Sequence, residues 1–507
     1  MKYSGFMAAG LAAALAFNAR AQSPQTRTLS LEDCIQIALE HNLDVQIKRV
    51  DPEIAQFTLS GTYGNYDPLF RISGSHDYNL APGGFDQQGR VYQGTESKTE
   101  NFGSGISGLL PWGLTYDLGG TTADRYGTLP GGTTNASRVP FETTSAEVGA
   151  LTLRQPLLKN FWIDSTRLQI LLNKQNVKIS ELDVRLQIIT TVSDVEQAYF
   201  DLIHAQENVK VQQQALELAE RLVAEDRRRV EVGVLAPLDS RQAESQAASS
   251  RADLLAAQSS RDTLERVLKN LLSDNYNEWA NVNVQPTDAL LAIPQQFNLQ
   301  ESWRTGLAMR PDLLQAKLNL EKQGYVVRYQ KNQLYPQLDL VGAYGYTASA
   351  AEFSGAFSQI GSADNPFYAV GAQLTFPLSN TGARNSYKVA KATKEQISLQ
   401  LKQLQQATLI KIENAMAVAQ TSLQRVTATR EARLYAEAAL EAEQTKLEKG
   451  KSTSFVVLQL QKDLTAARSA EIRALADYNI ALARLAQNEG STLERRKINL
   501  QVKGAGK

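Results

Sequence analysis

Apolar residues recur along this chain in two rhythms. In the first, Leu338, Leu340, Gly342, Tyr344 and Tyr346 alternate with Asp339, Val341, Ala343 and Gly345. Tyr368, Val370, Ala372, Leu374 and Phe376 alternate in the same way with Ala369, Gly371, Gln373 and Thr375. A period of two predicts strands with one apolar face. Each run is about ten residues, the length that a tilted strand needs to cross a bilayer. The Gly/Ser-rich stretch from Ser349 to Pro366 between them reads as a loop. Earlier in the chain, Leu69–Tyr78 and Ala146–Gln155 are expected to pair as a matching couple. Between them lies a candidate hairpin, Phe102–Leu109 and Leu114–Thr122 around Leu110-Pro111-Trp112-Gly113. Its flanks, 79–100 and 123–145, are rich in Gly, Thr and Asn and read as long loops. The hairpin either adds two wall strands, making six per chain, or decorates a loop outside a four-strand contribution. The pattern leaves both open.

The second rhythm is helical. Short helices are expected at about 30–41 and 299–309, and medium ones at about 44–64 and 311–334. Pro311 suits a helix start, whereas Pro52 is expected to kink the helix or restart it after Asp51. Very long helices follow at about 165–231 and 382–449, each roughly 100 Å at 1.5 Å per residue, far beyond a globular helix. After tip turns at 232–237 and 449–455 come helices of about 238–272 and 453–489. The medium and final helices, end to end, match one long helix, which predicts a coiled rod two helices wide. Ala247, Ala248, Ala256 and Ala257 permit close approach, while Gln212–Gln214 and Arg227–Arg229 require water. A tube wet inside and out leaves only narrow apolar seams, and this composition fits it. A solid bundle is the alternative.

The two halves repeat each other. Leu31-Glu32-Asp33 through Ala38-Leu39 matches Leu299-Gln300-Glu301 through Gly306-Leu307, and Asp44 matches Asp312. Tyr66-Asp67-Pro68 matches Leu334-Tyr335-Pro336, and Gln155-Pro156-Leu157 matches Phe376-Pro377-Leu378. Glu196, Ala198 and Gly233 match Glu413, Ala415 and Gly450. The changing offset assigns about 47 extra residues to the first half, between Pro68 and Pro156. The expected organisation is a signal peptide at 1–21, a first repeat at 22–280, and a linker at 281–298. A second repeat at 299–489 and a tail at 490–507 complete it. Strand regions lie at about 68–155 and 337–376.

Charge and chemistry narrow the function. The 507 residues carry no net charge, so no basic field draws nucleic acid. Lys2, the apolar run Met7–Phe17 and Ala19-Arg20-Ala21 before Gln22 have the form of a secretory signal, too short to span a bilayer. No other stretch is apolar enough for a spanning helix, so a mature chain that crosses a membrane must do so as a closed barrel. Cys34, the only cysteine, has no internal disulfide partner and reads as a small apolar helix residue. His41, His76 and His204 show no metal spacing with one another or with Cys34. Gly450-Lys451-Ser452-Thr453 ends like a phosphate loop, but Thr445 occupies the required upstream glycine. No catalytic, cofactor or metal site is read, and no enzyme is expected.

Several features together carry a family likeness. They are the duplicated helix, strand, helix order, Arg310-Pro311-Asp312-Leu313, and the strand exits at Pro156 and Pro377. The tip turns Val232-Gly233-Val234-Leu235-Ala236-Pro237-Leu238-Asp239 and Lys449-Gly450-Lys451-Ser452-Thr453-Ser454-Phe455 join them. The chain resembles the TolC-like outer membrane efflux family over essentially its whole mature length. The resemblance implies a mainly α channel with a membrane β-barrel portion, closed by a homotrimer. It implies an equatorial belt, which 274–298 and the tail after Glu489 could supply. It also implies an exit duct through outer-membrane lipid, docked at its periplasmic tip by an adaptor protein and an inner-membrane transporter, in tripartite efflux or type I secretion, whether the cargo is a drug, a metal, a protein or a polysaccharide. Gly233, Pro237, Asp239, Gly450, Ser452, Phe455, Val456 and Gln459 are the expected docking and gating residues. Gly233 and Gly450 would permit chain reversal, and Ser452 or Thr453 would cap the second return. Relatives carry acidic residues after the second turn, where this chain has Val456 and Gln459. That leaves Asp239 as the candidate for an acidic ring, against a simple helix-dipole role. The rival readings are a periplasmic coiled-coil adaptor or scaffold, expected to have a single hairpin, and a diffusion porin, expected to have many more strands per chain.

Overall fold

The computed structural model describes residues 25–85, 87, 89–130, 138–233 and 236–498. The expected signal segment 1–21 and the end of the tail lie outside the described residues. In chain order the elements are β1 (Gln25–Leu29), α1 (Leu31–His41), α2 (Leu43–Tyr63), β2 (Leu69–Ala81), β3 (Gly84–Phe85), β4 (Val91–Tyr92), β5 (Thr95–Leu109), β6 (Thr115–Pro130) and β7 (Arg138–Pro156). Next come α3 (Ser165–Glu231), α4 (Pro237–Leu272), α5 (Tyr276–Trp279), β8 (Val282–Pro286), α6 (Leu299–Met309) and α7 (Pro311–Asn332). The last are β9 (Gln337–Ala350), α8 (Phe353–Ser362), β10 (Pro366–Thr375), α9 (Thr381–Glu448), α10 (Ser454–Glu489) and α11 (Thr492–Arg495). Two compact units cut across the sequence repeats. One draws on 25–47, 187–303 and 411–498, the other on 48–186 and 304–410.

The second unit holds a six-stranded antiparallel sheet in the order β10-β9-β7-β6-β5-β2. Its register builds one row across every strand: Phe70, Ile106, Leu118, Leu151, Tyr344 and Tyr368 are successive cross-strand partners. Partners in such a row share a face, so this face is apolar along the row. Phe70 is 70% exposed and Tyr368 82%. The opposite face is polar, with Arg71 pairing to Asp117 at 3.3 Å and Arg154 to the buried Asp339 at 2.6 Å.

Three expectations for the strands are corrected. Leu69–Tyr78 does not pair with Ala146–Gln155, because β5 and β6 stand between them and supply the ladders of both. The supposed long loops are largely strand: β6 reaches Pro130 and β7 begins at Arg138. Polar Thr, Ser and Asn positions hid this extension, since they suit a strand whose two faces are both wet. The Ser349–Pro366 segment is not all loop. It contains α8, whose Ala356 packs on Ala146 and Ala348. Gln359 in α8 accepts from the Ser349 amide and donates to the Ser349 carbonyl, both at 3.1 Å.

The helices of this unit meet through polar bonds as much as apolar ones. Asn173 donates to Thr62 at 2.8 Å, Lys322 to Asn176 at 2.6 Å, and Gln315 to Asp183 at 2.6 Å. The helix does not restart at Pro52: α2 runs unbroken from Leu43 to Tyr63. The proline removes one amide donor, but its neighbours hold the helical path.

The first unit has a conventional core. Tyr199, Leu202, Leu268, Leu272, Ile412 and Tyr478 are fully buried. Strands β1 and β8 pair in parallel, Gln25 opposite Val282 and Leu29 opposite Pro286, a pairing that no sequence pattern announced. The Tyr199 hydroxyl donates to Asp288 Oδ2 at 2.8 Å, and the same oxygen accepts the Leu31 amide at 2.8 Å. Glu265 binds the Lys269 ammonium at 2.8 Å and accepts the Val284 amide at 3.0 Å. Residue Arg496 of the tail pairs with the buried Glu196, whose carboxyl burial pushes up against the pull of Arg496. Cys34 is buried on α1, and burial pushes its thiol up to about 12, which makes it inert at neutral pH. Among the described residues no helix is long and apolar enough to cross a membrane.

Pro52 yields a test of this fold. An internal helix proline costs about 3 kcal/mol against alanine, so Pro52→Ala is expected to stabilise the protein by about 1–3 kcal/mol. An unchanged or lowered denaturation midpoint would show that the native path of α2 depends on the proline.

Candidate functional site

The two helix-hairpin tips carry the sequence-predicted site, and both lie in the first unit. At the second tip, α9 ends in a Schellman turn. Gly450 adopts φ +69°, its amide donates to Leu447 O at 3.0 Å, and the Lys451 amide reaches back to Lys446 O at 2.9 Å. These bonds satisfy the orphan carbonyls of the last helical turn. At the first tip, Gly233 takes φ +76° and its amide donates to Val230 O at 3.0 Å, the same local solution. Both glycines sit where a Cβ would strain the backbone. Val234 and Leu235 lie outside the described residues.

The returning helices start differently. Pro237 occupies the first turn of α4, with Ala236 as its cap and Asp239 in the same turn. Asp239 is half-buried. On α10, Thr453 holds the N-cap position but its side chain makes no capping bond. Ser452 does not cap either, since its hydroxyl donates to Glu443. The expected cap is therefore absent, because a carboxylate on α9 outcompetes the backbone amides for the Ser452 hydroxyl. That bond and Lys446, the larger influence, hold the Glu443 carboxyl below its usual range. Phe455 is 60% and Val456 39% exposed. Gln459 is exposed and donates to Asp463 at 3.0 Å.

One pair escaped the sequence reading. Ser454, the buried first residue of α10, donates its hydroxyl to Asp226 Oδ1 on α3 at 2.8 Å. Asp226 is itself fully buried, and its Oδ2 has no hydrogen-bond partner among the described residues. Burial pushes its carboxyl up, against the Ser454 bond and Arg229. A signal existed: Ala219, Leu222 and Asp226 fall at the three- and four-residue spacing of one helix face, and all three are buried. A carboxylate on an apolar stripe marks an internal contact. Around it, Leu222, Ala243 and Leu458 join α3, α4 and α10, and Leu440, Val457 and Leu464 join α9 to α10. Val232 at 72% and Leu238 at 67% exposure stand out at the first tip, as Phe455 does at the second.

The strand exits form a second matched pair, in the sheet unit. Pro156 closes β7, and its neighbour's amide, Leu157 N, bonds Leu338 O at 2.7 Å. Pro377 follows β10 and is exposed. Downstream of each proline an asparagine takes positive φ, Asn160 at +66° and Asn380 at +46°. Asn160 accepts from Gln333 at 2.7 Å, and Asn380 donates to Leu334 O at 3.2 Å. The duplication thus extends to backbone conformation. The three histidines are dispersed, with His41 on Asp274 at 3.0 Å and His76 near Glu100 at 3.5 Å. His204 is on α3, its imidazole held below its usual range first by burial.

A family model described as outer membrane efflux protein matches residues 131–273 and 304–491. The outer membrane efflux protein BepC of Brucella suis biovar 1 (strain 1330) is 23% identical over 345 residues, 67% of this chain and 70% of that protein. Among solved structures, the CmeC outer membrane channel of Campylobacter jejuni aligns with a TM-score of 0.66 at 16% identity, covering 93% of this chain and 90% of that one. The outer membrane protein VceC of Vibrio cholerae aligns with a TM-score of 0.65 at 16% identity, covering 91% and 96%.

Asp226 sets a pH dependence for the tips. A carboxyl with a raised folded pKa adds stability that is fully present below its unfolded value, near 3.9, and lost as pH rises through the folded value. Asp226→Asn is therefore expected to slow amide exchange at residues 222–233 and 454–460 at pH 7. The gain should vanish in acid, where the native carboxyl is protonated. Ser454→Ala should do the reverse, costing about 1–3 kcal/mol by leaving a buried acceptor unmet. Equal exchange in all three proteins at pH 7 would mean that this contact does not hold the tips.

Proposed function

The chain belongs to the outer membrane efflux protein family, and from that premise we propose that three copies form one exit duct for an energised inner-membrane transporter. The protein is an outer-membrane channel with the TolC-like fold and is not an enzyme. The observation that carries the trimer reading is the sheet. It presents an unbroken apolar row on one side and ion pairs on the other, and its edges, β2 and β10, have no partner strand among the described residues. Lipid does not tolerate open edges, so copies must complete one another. The apolar row then meets outer-membrane lipid, and the face with Arg71, Asp117, Arg154 and Asp339 lines water.

The repeats at 22–280 and 299–489 each supply one helical hairpin to a periplasmic tube, with 281–298 between them in its belt. The hairpin tips dock a periplasmic adaptor. Val232, Leu238 and Phe455 are its apolar anchors, and Gly233, Gly450 and Pro237 fix the turns that present them. The Asp226–Ser454 bond ties α3 to α10 within the tip, so opening costs that bond. Asp239, Val456 and Gln459 line the approach, and passage is passive.

Unheated, detergent-extracted protein is expected to run as a trimer that dissociates on boiling. Phe455→Glu should abolish export in cells while preserving the trimer and its channel conductance in planar bilayers. Undiminished export by that variant would remove the tip from adaptor docking, and a monomer in detergent would remove the duct itself.

A further inference from the structure

We propose that the membrane wall of this duct has eighteen strands, with the β5–β6 hairpin built into it, and that its outer opening is correspondingly wide. This rests on the trimer reading, since three copies of a six-stranded sheet make the count. Three observations place the hairpin in the wall. First, β5 pairs with β2 from Leu109's neighbourhood to Thr95, and β6 pairs with β7 from Thr115 to Pro130. Without the hairpin, β2 has no ladder among the described residues. Second, the hairpin carries the same two faces as the rest. Ile106 and Leu118 continue the apolar row, while Ser107 and Asp117 face the other way beside Thr152. Third, its turn lies at the helix-facing end of the sheet. Gly113 takes φ +92° and stands so close to the start of α3 that a Cβ there would meet Arg167 Nη2 at 2.9 Å. Arg167 in turn holds Asn160 O at 2.9 Å and Asp164 at 2.8 Å. A hairpin that decorated an outer loop would have its turn at the other end.

Parity closes the wall. Six antiparallel strands leave β2 and β10 running in opposite directions, so β10 of one copy meets β2 of the next as an ordinary antiparallel pair. Taking strands about 4.8 Å apart and tilted about 40°, eighteen strands give a barrel about 36 Å across, against about 24 Å for twelve. The inward face carries Gly103, Gly105, Gly119, Gly345 and Gly371 among polar side chains such as Arg71, Asp117 and Arg154. A wall of this size encloses an aqueous opening rather than a packed core, which suits cargo of large cross-section.

The test uses the full mature chain with Cys34→Ala and single nitroxides at Ile106→Cys, Leu118→Cys, Ser107→Cys or Thr121→Cys, in lipid vesicles. Collision with oxygen should dominate at 106 and 118, and collision with a water-soluble nickel chelate at 107 and 121. The trimer band should survive in all four. Aqueous accessibility at all four positions with the trimer intact would expel the hairpin from the wall and overturn the count, leaving the duct standing. Loss of the trimer in the Cys34→Ala parent would overturn the assembly and the count together.

Discussion

A backbone amide or carbonyl in lipid has to find its partner inside the protein, and most of this molecule follows from that requirement. An unpaired group there costs several kcal/mol, and none of the described helices can cross the bilayer by itself. The exposed apolar row lies on the strands, and β2 and β10 at the edges of that sheet have no partner strand among the described residues. The chain supplies a sheet whose apolar row spans all six strands, and association supplies the rest. In the proposed trimer, oligomerisation is a condition of the sheet's existence in lipid rather than an addition to a finished fold.

The helical part obeys a different rule. Its helices meet along narrow seams, and cross-helix contacts alternate between small apolar residues and side-chain hydrogen bonds such as Gln315 to Asp183. Such seams stabilise less per residue than a globular core. The tips show this in concentrated form. Asp226 is buried with only one of its oxygens bonded among the described residues, an arrangement that holds without being tight. A fully apolar seam at that place would grip harder. The core of the first unit contrasts with it: Tyr199, Asp288 and the Leu31 amide form a closed set of bonds.

Much of this was legible in the chain. The period-two runs around Tyr344 and Tyr368, the helix ends at Gly233 and Gly450, and the first-turn positions of Pro237 and Pro311 each rest on local physics, which a single sequence carries in full. What stayed hidden was non-local. The β1–β8 pairing joins residues far apart with no shared pattern. Asp226 and Ser454 look like ordinary helix residues until two hairpins come together. Ser452 and Thr453 are good caps in isolation, but Glu443 lies within reach of Ser452 and wins its hydroxyl.

The order of the strands marks the same divide. Alternation identified which residues share a face, and duplication identified which segments correspond, because both depend on spacing along one chain. Neither could say whether β5 and β6 belonged beside β2 and β7 or outside them, since a strand's partners are chosen by where the neighbouring ladder and the helix starts lie in space. The turn at Gly113 against Arg167 settles the hairpin's direction by close packing, and packing exists only once the chain has folded.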